Sequence, residues 1–162
     1  MFNNWAGDSE NTKYLTWQAH KDVNETKSIL NAWIKQYKNK DYYQWAIVLK
    51  DTKKLVGNIG VVEYDDSIRC CTIGYVLSKE CWNQGIMTEA LTAVINHLFQ
   101  NDLFNRIQSY HDYENPASGK VMIKSGMKFE GILRQADKNI TNNPCDKVMY
   151  SILKSDWQKS II

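Results

Sequence analysis

Apolar residues along the chain recur with two different periods, and the change of period separates helices from strands. The almost continuous apolar run from Thr72 to Leu77 indicates a strand that is buried on both faces. From Met87 onward, apolar residues recur at the spacing of one helix face, which predicts an amphipathic helix. A buried strand therefore leads into a helix through a loop that contains Gly85. We take the stretch 72–98 as the centre of the fold.

The same periods predict further elements on both sides of this stretch. Asp22 and Glu25 resemble a capping box, and the helix that they begin runs to about Asn39. Gly57 and Gly60, inside a predicted strand, indicate a bulge or a close backbone approach. The predicted segments are strands at 43–49, 55–63, 69–77, 106–111, 127–133 and 147–153, with a short helix from Asn115–Pro116 to about Gly126. This order predicts an α/β fold with a mixed, mostly antiparallel sheet and helices on both faces.

Composition and charge narrow the class of protein. A length of 162 residues with 43% hydrophobic residues suits a single domain, 1–162. The net charge is +2, from 20 basic and 18 acidic residues that are well mixed, so no nucleic-acid or membrane partner is indicated. The start lacks the features of a signal peptide and no apolar run approaches eighteen residues, which predicts a cytoplasmic protein.

The cysteines and histidines do not form a recognisable metal site. No C-x-x-C spacing occurs and the three histidines are far apart. We therefore expect no metal and four reduced thiols, with Cys81 as a packed side chain that has no assignable histidine partner.

The loop before the central helix has a possible chemical use. The first backbone N–H groups of a helix lack intrahelical partners, and the helix dipole adds positive potential there. A phosphate group can bind such amides, here those of Gln84 to Thr88, and Gly85 permits a close approach. The alternative is an ordinary strand–helix unit of a packed core.

Motifs along roughly residues 3–157 together resemble one family. They are Ile73–Leu77, Trp82–Leu91, Asn105–Ile107, Asn115–Ser118 and Gly126–Arg134. In order and spacing, the chain resembles the GNAT superfamily of acetyl-CoA-dependent N-acetyltransferases, in particular the branch of ribosomal-protein-alanine N-acetyltransferases of the RimJ/RimL type.

The resemblance implies a binding site for acetyl-CoA as co-substrate. The loop amides would hold the pyrophosphate, and the strands Gly57–Glu63 and Ile73–Leu77 would separate at a bulge and offer unpaired backbone groups to the pantetheine. Asn115 and Ser118 would lie beside the pantetheine and the thiol. The implied cofactor-binding residues are Tyr75, Val76, Leu77, Trp82, Asn83, Gln84, Gly85, Ile86, Met87, Thr88, Asn115 and Ser118.

Two residues are candidates for catalysis. Ser118 could assist the departing thiolate, or it could be an ordinary capping residue in the first turn of its helix. Glu63 is the best-placed carboxylate for a general base, or it is a solvated residue at a strand end. His111 and Tyr113 are reserve candidates. The glutamate base of some superfamily members aligns with Thr72 and cannot be carried over.

Two further departures from the family pattern matter. Trp82 and Met87 occupy the outer positions of the loop motif, where the superfamily has Arg or Gln and Gly or Ala. The usual first strand of the branch is also missing from this sequence. We therefore expect either a homodimer that covers the exposed sheet edge, or a native protein that carries the strand upstream of Met1.

Two classes of function follow from these residues. The first is an enzyme that acetylates a primary amine, either a protein N-terminal α-amine or a small-molecule amine, by direct transfer in a ternary complex. The alternative is a catalytically degenerate CoA-binding module that serves as a sensor or scaffold.

Overall fold

The computed structural model describes residues 1–160 and contains a six-stranded sheet in the order β1-β2-β3-β4-β6-β5. Neighbouring strands are antiparallel except for the parallel pair β3 and β4. This mixed sheet confirms the predicted fold class. The strands are β1 (Gln44–Val48), β2 (Leu55–Asp65), β3 (Cys70–Leu77), β4 (Arg106–Asp112), β5 (Lys128–Lys138) and β6 (Pro144–Leu153).

Helices flank the sheet in the predicted order, with short additions at both ends. The helices are α1 (Ser9–Thr12), α2 (Val23–Gln36), α3 (Ile86–Gln100), α4 (Pro116–Lys124) and α5 (Lys154–Ser160), with a π-helical turn at Phe2–Ala6 and a 3-10 turn at Lys79–Cys81. The two short helices α1 and α5 were not predicted, because four to seven residues carry too little periodicity. None of the helices in residues 1–160 is long and apolar enough to cross a membrane.

The core lies between α3 and the centre of the sheet. Leu91 and Leu98 of α3 have no solvent exposure, and they pack in one cluster with Ile59 of β2, Ile73 of β3 and Ile107 of β4. Burying each such side chain contributes roughly 1.5–3 kcal/mol. This packing fixes where α3 begins relative to the end of β3.

Strands β3 and β4 separate part of the way along their length, and we call the gap between them the splay. They pair only over Cys70–Thr72 and Arg106–Gln108. By contrast, β2 and β3 stay paired from Gly57 opposite Leu77 to Asp65 opposite Cys70. The predicted separation of Gly57–Glu63 from Ile73–Leu77 is therefore wrong.

A buried serine marks the point where the splay opens. Ser109 is 1% exposed, and its Oγ donates a 2.8 Å hydrogen bond to the carbonyl oxygen of Ile73. The side chain thus satisfies a carbonyl beyond the last register pair between β3 and β4. Alternating apolar residues predict that both strands exist, but they do not indicate which neighbours stay paired.

The glycines of β2 are explained by close backbone approach. A Cβ at Gly57 would lie 2.4 Å from the carbonyl oxygen of Val76, and one at Gly60 would lie 2.6 Å from that of Tyr43. The bulge itself lies further along, between Val61 and Glu63 in the pairing with β3.

The segment before α2 is held to the sheet by two asparagine side chains. Asn4 Nδ2 donates to the carbonyl oxygen of Leu55 at 2.6 Å, at the start of β2. Asn11, which is 7% exposed, donates from Nδ2 to the carbonyl oxygen of Leu77 at 2.7 Å and accepts from the Lys79 N–H at 2.9 Å. Asn11 therefore fixes the chain as it leaves β3 towards the central loop.

Candidate active site

A cleft of about 1170 Å³ runs along the splay. It is lined by the end of β3, the loop before α3 and the first turn of α4, and also by the segment before α2, the end of β5 and the start of β6. The cleft therefore brings together most of the residues that the sequence singles out as candidate ligands, with room for a large ligand and a second, smaller one.

The start of α3 presents unpaired amides to this cleft. Gly85 precedes the helix with a φ of +79°, and the Glu89 N–H makes the first helical hydrogen bond, 2.9 Å, to the Gly85 carbonyl oxygen. The N–H groups of Gly85 to Thr88 precede that first bond and have no partner within the helix. A Cβ at Gly85 would meet no atom within 4 Å, so the space in front of these amides is open. This geometry suits an anion.

Side chains of the loop hold it in this shape. Trp82 is 46% exposed, and its Nε1 donates to the carbonyl oxygen of Leu77 at 2.8 Å. Gln84 Nε2 donates to the carbonyl oxygen of Glu80 at 2.8 Å. Asn83 has a φ of +59°, a backbone conformation that asparagine tolerates better than most residues. In this structure Trp82 and Gln84 fix the loop through their side chains.

Tyr75 is the residue of β3 that has free backbone groups in the splay. The Ser78 N–H donates to the Val56 carbonyl oxygen at 2.7 Å, so the backbone groups of Ser78 face β2. Backbone groups of successive residues in a strand point to alternate sides. Those of Val76 therefore also face β2, and those of Tyr75 face the splay. The Leu77 carbonyl oxygen already accepts from Asn11 and Trp82. An extended ligand in the splay can therefore pair with Tyr75 as a strand would.

The side chain of Tyr75 reaches the first turn of α4. Its Oη lies 2.7 Å from Ser118 Oγ and 3.1 Å from the Ser118 carbonyl oxygen. Burial strongly raises the pKa of the Tyr75 phenol, so the phenol stays protonated. The Ser118 hydroxyl therefore has Tyr75 as a partner, on a different element from its own helix. Asn115 occupies the position before the helix, but its side chain makes no capping bond.

The carboxylate candidate Glu63 also lines the cleft. It is exposed and opposite Thr72 in the sheet, just beyond the bulge. Burial raises the pKa of Tyr110, and the negative charge of Glu63 contributes to this rise. Glu63 is therefore close enough to Tyr110, which also lines the cleft, to affect the pKa of its phenol.

The reserve candidates differ in their surroundings. His111 is 7% exposed, with Nδ1 2.7 Å from the Asp112 carbonyl oxygen and its ring stacked on Tyr150 at 5.7 Å. A Cβ at Gly119 would lie 2.6 Å from His111 Nε2, so helix α4 packs directly on this ring. Tyr113 is 59% exposed and does not line the cleft.

The cysteines of the cleft are poorly suited to nucleophilic catalysis. Burial, with a contribution from Asp112, raises the pKa of Cys145 to about 11, so this thiol stays protonated near neutral pH. Cys81 is buried, as predicted. In residues 1–160, no group of three or more His, Cys, Asp or Glu side chains could hold a metal ion.

A hydrogen bond between distant segments lies at the edge of the cleft, which Gln18 lines. Gln18 Nε2 donates to the Ile140 carbonyl oxygen at 3.1 Å, which joins the segment before α2 to the loop between β5 and β6. The rings of Trp17 and His20 contact each other in the same segment, with centroids 5.1 Å apart and planes tilted by 38°. Sequence reasoning identified neither this bridge nor Asn11 and Ser109, because each acts on a partner far along the chain.

Comparisons with known proteins agree on one family. The family model described as "Acetyltransferase (GNAT) domain" matches residues 1–128. The chain is 29% identical over 147 residues to the uncharacterized N-acetyltransferase YoaA of Bacillus subtilis, covering 91% of this chain and 82% of that protein. It is 30% identical over 96 residues to the ribosomal-protein-serine acetyltransferase of Escherichia coli, covering 59% and 53%.

A solved structure has the same fold over nearly the whole chain. A GNAT-family acetyltransferase from Bacillus anthracis superposes with a TM-score of 0.79 at 26% identity, covering 96% of this chain and 92% of that one. The family model and this structure confirm the resemblance that the sequence motifs indicate. The chain belongs to the GNAT family of acetyltransferases and is an N-acetyltransferase.

Proposed function

We propose that the protein transfers the acetyl group of acetyl-CoA directly to a primary amine within one ternary complex. The acceptor is a protein N-terminal α-amine or a small-molecule amine. The observation that carries the proposal is the 2.7 Å contact of Ser118 Oγ with Tyr75 Oη, in the same cleft that the free backbone groups of Tyr75 line. This arrangement supports a site in which the splay holds an extended pantetheine arm and a hydroxyl is available to its thiol.

The residues present fit acetyl-CoA, which supplies an acetyl group activated as a thioester. The amides of Gly85 to Thr88 would hold the pyrophosphate in the open space before α3. The backbone of Tyr75 would pair with the pantetheine, and Asn115 would lie at its edge in the cleft. Trp82 and Gln84 would support this site by fixing the loop.

Two side chains would assist the reaction, one by stabilising the departing sulfur and the other by accepting a proton from the amine. As the nitrogen–carbon bond forms, the carbon–sulfur bond breaks and its electron pair leaves on sulfur. The Ser118 hydroxyl would donate a hydrogen bond to that sulfur. Glu63, directly or through a water, would accept the proton that the amine nitrogen must lose.

The cysteine chemistry supports transfer without an acyl-enzyme. A thiol nucleophile must ionise, and the raised pKa of Cys145 opposes its ionisation at neutral pH. Cys81 is buried in the core cluster. Direct attack by the amine requires neither.

We expect the acceptor to bind in the part of the cleft near the segment before α2, and this part suits an amine that carries an apolar or aromatic group. Trp17, Trp33 and Tyr42 line the cleft together with Glu63. The similarity to a ribosomal-protein-serine acetyltransferase supports testing peptide N-termini first. Small amines with aromatic groups form the second class to be tested.

Release of CoA thiol from acetyl-CoA, measured with a panel of tetrapeptides and small primary amines, tests this function. We expect amine-dependent thiol release and an acetylated product by mass spectrometry. Ser118→Ala should lower kcat by about tenfold to a hundredfold with little change in the KM for acetyl-CoA. Tight acetyl-CoA binding without thiol release for any amine would contradict the proposal and indicate a binding module.

A further inference from the structure

We propose that Tyr75 is a positioning residue whose phenol holds Ser118 Oγ so that the serine's own hydrogen points to the departing thiolate. This inference rests on the proposed function, since it assigns Tyr75 a role in the same reaction. It is distinct from the expected role of the Tyr75 backbone in binding the pantetheine.

The hydrogen bonds between the two residues allow two arrangements. Tyr75 Oη carries one hydrogen but has two acceptors within reach, Ser118 Oγ at 2.7 Å and the Ser118 carbonyl oxygen at 3.1 Å. In the first arrangement, the phenol donates to the carbonyl oxygen and the serine hydroxyl donates to the phenol. In the second, the phenol donates to Ser118 Oγ, and the serine hydrogen is available to a ligand in the cleft.

Negative charge on sulfur favours the second arrangement. Ser118 lines the cleft, so a thiolate there can accept its hydrogen. The phenol then turns its hydrogen from the carbonyl oxygen to Ser118 Oγ, and the 2.7 Å contact persists. No proton leaves either residue. Burial holds the pKa of the phenol above its ordinary value, which suits Tyr75 to donate hydrogen bonds rather than protons.

The surroundings keep both groups in place. A Cβ at Gly119 would lie 2.6 Å from His111 Nε2 and 3.1 Å from Tyr150 Oη, so the first turn of α4 is pressed against β4 and β6. The Tyr75 ring packs on the core cluster. Neither Ser118 nor Tyr75 can therefore move far without disturbing the core, and their contact is preorganised.

A double-mutant cycle tests the inference. Steady-state kinetics would be measured for Tyr75→Phe, Ser118→Ala and the double variant, with acetyl-CoA and the best amine of the panel. Losing one neutral hydrogen bond should lower kcat by about threefold to tenfold in Tyr75→Phe, with the KM for acetyl-CoA within about twofold of wild type. In the Ser118→Ala background, Tyr75→Phe should have no further effect on kcat, because its partner is gone.

Tyr43→Phe is the matched control. Tyr43 also packs on the core cluster, with its ring edge-on to that of Phe104 at 6.1 Å, and it does not line the cleft. Loss of its hydroxyl should leave kcat unchanged. A structural role for Tyr75 would instead lower kcat by the same factor in both backgrounds, and that multiplicative result would overturn the inference, as would wild-type kcat in Tyr75→Phe.

Other outcomes separate the inference from the proposed function. Absence of amine-dependent thiol release in the wild-type protein contradicts the function, and wild-type kcat in Ser118→Ala contradicts the serine's role; each also overturns the inference. If Tyr75→Phe melts early, site-specific 3-fluorotyrosine at position 75 replaces it. This residue keeps the ring shape and donates more strongly, so we expect kcat at or above the wild-type value, and a fall would refute the role.

Discussion

Replacing Gly85 by glutamate should separate phosphate binding from folding. A Cβ at this position enters open space, with no atom within 4 Å, directly in front of the unpaired amides of α3. For the magnitude, we take a separation of about 5 Å between a glutamate carboxylate at this position and each phosphate charge. In water, each pair of unit charges at about 5 Å repels by about 0.8 kcal/mol. Two phosphate charges therefore cost about 1.7 kcal/mol, or roughly fifteenfold to twentyfold in Kd.

This electrostatic value is a lower bound, because the side chain also occupies the space that the phosphates need. Gly85→Gln adds nearly the same volume without the charge, so its Kd for acetyl-CoA should rise less than that of Gly85→Glu. The difference between the two variants should shrink as salt is added, since ions screen the repulsion.

Gly126 provides a matched control for the backbone strain that a side chain at position 85 introduces. Gly126 has a φ of +87°, close to the +79° of Gly85, and a Cβ there would lie 3.5 Å from Ile152 Cδ1, away from the cleft. A side chain in this conformation costs roughly 1–2 kcal/mol of stability at either position. Gly85→Glu and Gly126→Glu should therefore lower Tm by similar amounts.

Isothermal titration calorimetry with acetyl-CoA distinguishes the variants. We expect Gly126→Glu to bind as wild type and Gly85→Glu to bind at least fifteenfold more weakly. Unchanged affinity in Gly85→Glu, or an equal loss in Gly126→Glu, would refute the assignment of the phosphates to the start of α3.

Two further predictions concern the splay and the acid stability of the sheet. Ser109→Ala leaves the buried carbonyl of Ile73 without its 2.8 Å donor, so the free energy of unfolding should fall by about 1–3 kcal/mol in urea titrations; an unchanged midpoint would contradict this role. The Arg106 guanidinium, with Ser151, lowers the pKa of Glu130 from 4.5 to about 2, so its stabilisation is complete above about pH 4.5 and is lost as the pH falls to about 2. Because Glu130 is 38% exposed, this contribution is roughly 1 kcal/mol, and Glu130→Gln should flatten the fall of Tm between pH 5 and 2.5; parallel curves would exclude it.

The parts of the site that could be predicted are those whose chemistry is local in the chain. The buried strand, Gly85 and the amphipathic helix lie within 72–98. The spacing of apolar residues predicts the strand and the helix, and the glycine indicates the loop between them. The parts that could not be predicted depend on contacts between distant residues. Ser109 acts on a carbonyl 36 positions away, and Asn11 acts on one 66 positions away. A lone serine or asparagine carries no pattern that indicates such a partner.

The incorrect prediction that β2 and β3 separate has the same cause, because strand pairing also depends on residues far apart in the chain. The pair that does separate is β3 and β4. Sequence motifs place Tyr75 and Ser118 in the cofactor site separately, but their contact spans 43 positions. Because β3 leaves β4 after Thr72, the backbone groups of Tyr75 that face away from β2 have no strand partner and are available to a ligand. The same residue turns its side chain to α4 and meets Ser118. On the two proposals made above, one tyrosine has two separable roles, pantetheine binding through its backbone and positioning of Ser118 through its phenol. Tyr75→Phe removes the hydroxyl and keeps the backbone groups, so kcat should fall while the affinity for acetyl-CoA stays unchanged.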